Sequence, residues 1–204
     1  GGLLMAKLME PETDTPTEPQ QGEKLTGEKY INLIDAAATG AMNGLQMAAA
    51  IGALLLAFVA LIAMVNGMLE TGGAWVGVEQ LTLERVLGGL LQPLAWALGV
   101  PWDEAQLAGS LIGQKFILNE FVAYVTYSEV ADQLSPRSQA IVIFALCGFA
   151  NLSSIAILLG GLGAVAPERR DEVSQYGFRA LIAASLSNLM SAALAGFFLT
   201  LGVA

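Results

Sequence analysis

The charged residues of this chain are separated by long stretches that carry no charge. No charged residue lies between Asp35 and Glu70, between Arg137 and Glu168, or after Arg179. A helix needs about 20 mainly apolar residues to cross the hydrocarbon core of a bilayer. The pattern therefore predicts three membrane-spanning helices, with apolar cores at residues 45–69, 138–162 and 178–201.

Residues 103–132 are mainly apolar but too interrupted to form a span. Lys115 and Glu120 divide them into apolar pieces that are each too short to cross the bilayer. We interpret this stretch as a re-entrant helical hairpin, which enters and leaves on one side of the membrane with its tip at residues 118–120. Irregular backbone is tolerated at such depth only where protein buries it or a cavity hydrates it.

The uncharged stretch 138–167 carries polar groups at its centre. Gly148, Asn151, Ser153 and Ser154 stand where a helix that only faces lipid would carry Leu, Ile or Val. Polar groups at this depth are costly unless they face protein, water or a ligand, and a glycine beside them loosens the helix. The pattern predicts a discontinuous helix over residues 136–163 in a protein that handles a polar solute.

The remaining segments connect these elements. Residues 72–101 contain Pro93 and the charged pair Glu84 and Arg85 in an otherwise apolar run, which favours an interfacial helix. Basic residues before the first span and after the second mark the cytoplasmic side. We predict an all-α integral membrane protein with these segments: 1–9, the end of a preceding transmembrane helix; 10–44, a cytoplasmic loop and interfacial helix; 45–69, a transmembrane span; 72–101, an interfacial helix region; 103–132, the re-entrant hairpin; 136–163, the discontinuous helix; and 173–201, a C-terminal transmembrane helix.

Composition excludes several classes of function. The 204 residues are 55% hydrophobic and 13% charged, with a net charge of −9, and no basic patch exists for nucleic acid to bind. The chain has 0 histidines, which removes the usual general base and zinc ligand. An intramembrane aspartyl protease would need two aspartates at mid-depth, but Asp35, Asp103, Asp132 and Asp171 lie near span ends or in loops. We predict no enzyme activity and no cofactor.

Glu120, Asn151 and Ser154 are the candidate solute-binding residues. A carboxylate at the centre of a membrane helix costs about 2.5–3.5 kcal/mol, so Glu120 indicates a function there. Asn151 and Ser154 are three positions apart, so a helix presents both on one face, which suits neighbouring sugar hydroxyls. Structural interpretations stay open: Glu120 as a surface residue or as the partner of Lys115, and the serines as bonded to their own backbone.

The same residues are also compatible with a second function. A channel, or a structural membrane subunit with a polar site at mid-depth, would carry the same pattern of spans and polar groups. Asn188, within the last span, is interpreted as a contact between helices rather than with a ligand.

Four strings closely resemble the C-terminal half of bacterial concentrative nucleoside transporters. The resemblance covers essentially the whole chain, and the first and third strings are the most specific. They are NEFVAY (Asn119–Tyr124), LSPRS (Leu134–Ser138), ALCGFANLSSIAILLGGLGAVAPERR (Ala145–Arg170) and SLSNLMSAALAGF (Ser185–Phe197).

The resemblance implies half of an inverted-repeat transporter, a cation-coupled nucleoside symporter that imports nucleosides such as uridine by alternating access. It implies a homotrimer in the lipid bilayer of the bacterial inner membrane, with a scaffold domain and a moving transport domain. The ribose would be held by Glu120, Asn151 and Ser154, with Phe149 along the apolar part of the site. Asn119, beside Glu120, is a further candidate substrate-binding residue. Met47 is a weaker candidate for the same surface.

The family's first hairpin and its partner helix, which read the nucleobase and ligate sodium, match nothing in this chain. We therefore expect no metal ligands here, and we expect the ligands of the coupling ion, sodium or a proton, in an absent N-terminal half. The isolated chain is not expected to transport.

Overall fold

The computed structural model describes residues 1–11, 13, 31–75, 77–78, 80–155, 157–158 and 170–202. These residues form helices, and no strand occurs among them. They divide into two compact units, one made of Gly1–Pro11 with Ile62–Ala204 and the other of Glu12–Leu61. The helices are α1 (Gly2–Met9), α2 (Leu33–Trp75), α3 (Leu83–Ala97), α4 (Trp102–Ile117), α5 (Glu120–Val130), α6 (Pro136–Leu146) and α7 (Arg170–Thr200), and a 3₁₀ turn (Ala131–Gln133) follows α5.

Helix α2 is longer than the sequence pattern predicts. The segment 10–44 was expected to end before a span at 45–69, whereas α2 is continuous from Leu33 to Trp75. No proline lies in this range, and Gly40 and Gly44 lower helix propensity by only about 1 kcal/mol each, so nothing ends the helix there. Of the predicted loop at residues 10–29, residues 12 and 14–29 lie outside the described residues.

Helices α3 and α4 pack at very short range because glycines line their contact. A Cβ on Gly88 would lie 2.7 Å from the carbonyl oxygen of Gln106, and one on Gly109 would lie 2.8 Å from the carbonyl carbon of Leu91. Both neighbours are backbone atoms, which cannot rotate away. Gly88 therefore serves close helix packing.

We expect Gly88→Ala to destabilise the protein by about 1–3 kcal/mol, because the added methyl group overlaps the backbone of α4. Its neighbour Gly89 is the matched control, since a Cβ there meets nothing within 4 Å. Gly89→Ala should be neutral or stabilising by up to about 1 kcal/mol, through higher helix propensity. Thermal unfolding of both purified variants measures the difference; equal midpoints would contradict the packing argument.

Helices α4 and α5 are joined by only two residues, Leu118 and Asn119, and contact each other along their length. Gln114, which is buried, accepts a hydrogen bond from Thr126 Oγ1 at 2.9 Å, so a polar contact also joins the pair. At the far end, Glu104 Oε2 accepts hydrogen bonds from the backbone N and the hydroxyl of Ser135, at 3.1 and 3.0 Å. This carboxylate ties the start of α4 to the start of α6.

Helix α6 ends at Leu146, and helical structure resumes in a turn at 152–155. Residues 147–151 between them are not helical. Helix α7 packs against both parts: a Cβ on Gly196 would meet the side chain of Ile141 at 2.6 Å, and one on Gly177 would meet Ile155 at 2.9 Å. The long last helix is therefore the support on which the interrupted segment rests.

The hydrophobic core of the larger unit draws small and branched side chains from α3 to α7. Leu111, Ile112, Ile141 and Leu146 are fully buried in it. Among the described residues, the stretch Ser174–Thr200 is long and apolar enough to cross a membrane, with a mean hydropathy of 1.7. The bilayer positions of the other predicted spans, of the hairpin and of the discontinuous helix stay predictions.

Candidate functional site

The side chains of Glu120 and Asn151 meet, although 31 positions separate them in the sequence. Asn151 Nδ2 donates a hydrogen bond to Glu120 Oε2 at 3.1 Å. Glu120 is the first residue of α5 and is half-buried, whereas Asn151 is 1% exposed. The tip of the α4–α5 pair thus contacts the non-helical segment that follows α6.

The local sequence explains how Glu120 reaches this position. Asn119 has extended backbone at the N-cap of α5, and its Oδ1 accepts a hydrogen bond from Val122 N at 2.9 Å. Such a cap satisfies one of the free backbone N–H groups at a helix start. The side-chain oxygen of Asn119 is therefore used to begin the helix, and the adjacent Glu120 is projected from its first turn.

Asn151 begins the helical turn at 152–155 in the same way. Its Oδ1 accepts hydrogen bonds from Ser154 N at 2.9 Å and from Ser153 Oγ at 2.6 Å. The side-chain oxygen is fixed by these two donors, so the amide nitrogen is turned toward Glu120. An amide with a fixed oxygen and a carboxylate at its nitrogen is a pre-organised polar pair.

Ser154 takes part in this turn through its hydroxyl. Ser154 Oγ donates a hydrogen bond to the carbonyl oxygen of Asn151 at 2.6 Å and accepts one from Asn151 N at 3.3 Å. This is the local backbone bonding that is common for serine in helices. Its oxygen keeps lone-pair capacity for a further donor, while its proton is occupied within the turn.

An apolar cavity of about 390 Å³ lies beside the turn, between residues 148–158 and α7. Phe149, Ser154 and Asn188 are among the residues that line it. Phe149 itself is 57% exposed and lies two positions before Asn151 in the chain. Glu120 and Asn151 are not among the residues that line this cavity, so Phe149 and Ser154 connect it with the segment that carries the polar pair.

Lys115 is a residue whose position the pattern alone did not reveal. It lies in the last turn of α4 with 0% of its surface exposed. In the orientation of Asn188 whose amide oxygen faces Lys115 and Gly148, this oxygen accepts hydrogen bonds from Lys115 Nζ and from Gly148 N, both at 3.2 Å. Asn188 is thus a contact between helices, as its sequence context suggests. The sequence leaves a pairing of Lys115 with Glu120 open, but it does not indicate Asn188 as the hydrogen-bond partner of Lys115.

Two other expectations concern residues outside the described part of the chain. The side chain of Met47, on α2, is one of them. The other is residues 159–169, which include the end of the predicted discontinuous helix. Within the described ranges, no group of three or more His, Cys, Asp or Glu side chains is placed to hold a metal ion.

Comparison with known proteins decides the family. Residues 1–196 match the family described as Na+ dependent nucleoside transporter C-terminus. The chain belongs to this family. Its described residues form helices, as the family resemblance implies, and the names of the family and its members indicate a transporter rather than an enzyme.

Three similar proteins illustrate the match. Nucleoside permease NupC of Helicobacter pylori is 45% identical over 206 residues, which cover 98% of this chain and 49% of that protein. Sodium/nucleoside cotransporter 1 of Homo sapiens is 37% identical over 210 residues, covering 95% of this chain and 32% of its own length. The structure of CNTnw in an inward-facing substrate-bound state matches with a TM-score of 0.88 and 52% identity, covering 97% of this chain and 48% of that one.

The chain spans about half the length of the bacterial relatives it matches. It therefore corresponds to the C-terminal half of concentrative nucleoside transporters, and an integral membrane protein is the expected context for this family.

Proposed function

We propose that this chain carries the ribose-binding part of a cation-coupled nucleoside symporter that imports nucleosides by alternating access. Glu120, Asn151 and Ser154 contact the sugar hydroxyls, and Phe149 lies along the apolar part of the substrate. Asn119 acts by capping α5 and so aiming Glu120. Met47 is a further candidate for the same surface.

The observation that carries the proposal is the 3.1 Å contact between Glu120 Oε2 and Asn151 Nδ2. A carboxylate only accepts hydrogen bonds, and a primary amide has two N–H donors, of which one is used here. Two neighbouring hydroxyls can each donate to the carboxylate, while one of them accepts from the second amide N–H. The pair thus complements a vicinal diol such as the 2′ and 3′ hydroxyls of ribose.

The placement of these groups on interrupted helices also supports transport. In secondary transporters, substrate sites near the bilayer midplane are formed by discontinuous helices, whose unwound segments supply polar groups. Here the polar pair joins a two-residue connection at one end of α4 to the non-helical segment 147–151. A rigid-body movement of such a unit carries the bound sugar with it.

The coupling ion is proposed from the relatives, several of which are named sodium/nucleoside cotransporters. Sodium is therefore favoured over a proton, with its ligands contributed by a part of the full-length protein outside this chain. We further propose a homotrimer in the bacterial inner membrane, on the family resemblance alone.

Counterflow tests the proposed function against a channel. Liposomes that contain the full-length protein are preloaded with unlabelled uridine, and uptake of labelled uridine is followed without an ion gradient. We expect preloading to accelerate uptake, because a carrier returns faster when it is loaded. Uracil, which lacks the ribose, should neither exchange nor compete. Uptake that is indifferent to preloading would show a pore and contradict the proposal.

A further inference from the structure

Burying the charge of Lys115 costs free energy that neighbouring groups must offset. Its ammonium group lies in the last turn of α4 with no exposed surface. A buried ammonium is strongly destabilising unless it is hydrogen-bonded and its charge is compensated. The groups that surround Lys115 therefore show why a charge is kept there.

Besides the ring of Phe116, whose centroid lies 4.9 Å from Lys115 Nζ, two groups meet this requirement. Asn188 Oδ1, on α7, accepts a hydrogen bond from Lys115 Nζ at 3.2 Å. Glu120, at the start of α5, carries the opposite charge and lies across the two-residue connection from the last turn of α4, farther from the ammonium than an ion pair. One neighbour thus supplies the hydrogen bond, and the other, which belongs to the proposed sugar site, supplies the opposite charge.

The same Asn188 oxygen also holds the segment that carries the rest of the site. It accepts a hydrogen bond from Gly148 N at 3.2 Å, directly before Phe149. A Cβ on Gly148 would overlap the Asn188 amide, so the backbone approaches this side chain as closely as only glycine permits. Lys115, through Asn188, therefore joins α4 to α7 and to the non-helical segment.

We propose that Lys115 is a positioning residue for the sugar site, acting through Glu120 and Asn188 and not by touching substrate. Its charge balances that of Glu120, so that the carboxylate faces both Asn151 and the sugar hydroxyls without an uncompensated charge. Its bond to Asn188 keeps the segment from Gly148 to Asn151 against the tip of the α4–α5 pair. The inference rests on the proposed function.

The test is binding of uridine, 2′-deoxyuridine and 3′-deoxyuridine to the purified full-length protein by calorimetry. Glu120→Gln first identifies the hydroxyl that contributes most at Glu120, because the analogue that lacks it should lose less affinity from this change than uridine does. Lys115→Met, which keeps the volume and removes the charge, should then weaken uridine about tenfold and that analogue less than about threefold. A selective loss is not expected from a merely structural role.

Three further variants complete the experiment. Lys115→Arg keeps the charge and should restore uridine affinity to within about threefold of the unaltered protein. Gln114→Met removes the neighbouring buried polar group of α4, and should lower stability without distinguishing uridine from the analogue. Asn188→Asp keeps both accepted hydrogen bonds but adds a charge that competes with Glu120 for Lys115, and should reproduce the selective loss if Lys115→Met does not fold.

The outcomes separate the two proposals. Equal losses for uridine and the analogue in Lys115→Met or Asn188→Asp, with a selective loss in Glu120→Gln, would overturn the role of Lys115 and leave the sugar site standing. Unchanged uridine affinity in Glu120→Gln would overturn the sugar site, and the role of Lys115 with it.

Discussion

Replacing Glu120 with glutamine is expected to reduce uridine uptake by the full-length transporter at least about 30-fold, because hydrogen bonds to a charged acceptor contribute more than neutral ones. Glutamine keeps the shape of the side chain and can still accept from Asn151 Nδ2, which lies 3.1 Å from Glu120 Oε2. The amount and monodispersity of protein in the membrane are measured alongside, because Glu120→Gln also removes the charge that compensates the buried Lys115 and is expected to lower stability. In the binding site, the hydrogen bonds from the sugar hydroxyls lose their charged acceptor. Initial rates of labelled uridine uptake, normalised to protein, measure the effect.

Glu129 offers a matched control for this change. It lies on the same helix α5, nine positions later, and its side chain is exposed. Glu129→Gln removes one negative charge at nearly the same place in the chain but away from the polar pair, and should leave uptake within about twofold. Uptake by Glu120→Gln within threefold of the unaltered protein would show that Glu120 is not a substrate ligand.

The class of fold could be predicted because charge segregation is a strong constraint. Three long uncharged stretches in a chain with 13% charged residues predict membrane-spanning helices, and the described residues form helices. The family follows from short strings such as NEFVAY, which carry the N-cap Asn119 and the first residue of α5, Glu120. In both cases the information is local in the sequence.

The ends of the helices were less predictable than the class of fold. The sequence predicts a boundary between the interfacial helix that ends at residue 44 and the span that begins at residue 45, yet α2 passes through it. A change of composition alters the environment of a helix, but only a cap, a proline or a competing hydrogen bond ends it. α6 meets such competition at Leu146, where Gly148 N bonds to the Leu146 carbonyl.

The role of Lys115 could not be predicted, because it depends on a distant residue. Its partner Asn188 lies on the last helix, and the geometry that joins them depends on the close approach of Gly148. The sequence shows Lys115 as an interruption in an apolar stretch and Asn188 as one amide among many small residues. Nothing in either neighbourhood indicates that one oxygen serves both Lys115 and a backbone N–H.

Asn151→Ala is expected to weaken uridine binding about 100-fold, a larger loss than for either neighbouring serine, since a buried group that loses its partner costs about 1–3 kcal/mol. The change removes the donor to Glu120 and the acceptor for Ser153 Oγ and Ser154 N. The turn at 152–155 then also loses its cap, which contributes about 1 kcal/mol. Calorimetry with uridine and its 2′- and 3′-deoxy analogues measures the loss.

Ser154→Ala should have a smaller effect, about threefold to tenfold, because its proton is already donated to the Asn151 carbonyl at 2.6 Å and only its oxygen is free for a sugar hydroxyl. Ser191 is the matched control: its hydroxyl donates in the same way to Ser187 O at 3.2 Å, on α7. Ser191→Ala removes an equivalent local bond and should not change affinity. If the losses in Asn151→Ala and Ser154→Ala were equal for uridine and for both deoxy analogues, neither residue would be reading the ribose, since a lost hydroxyl contact weakens only those substrates that have the hydroxyl.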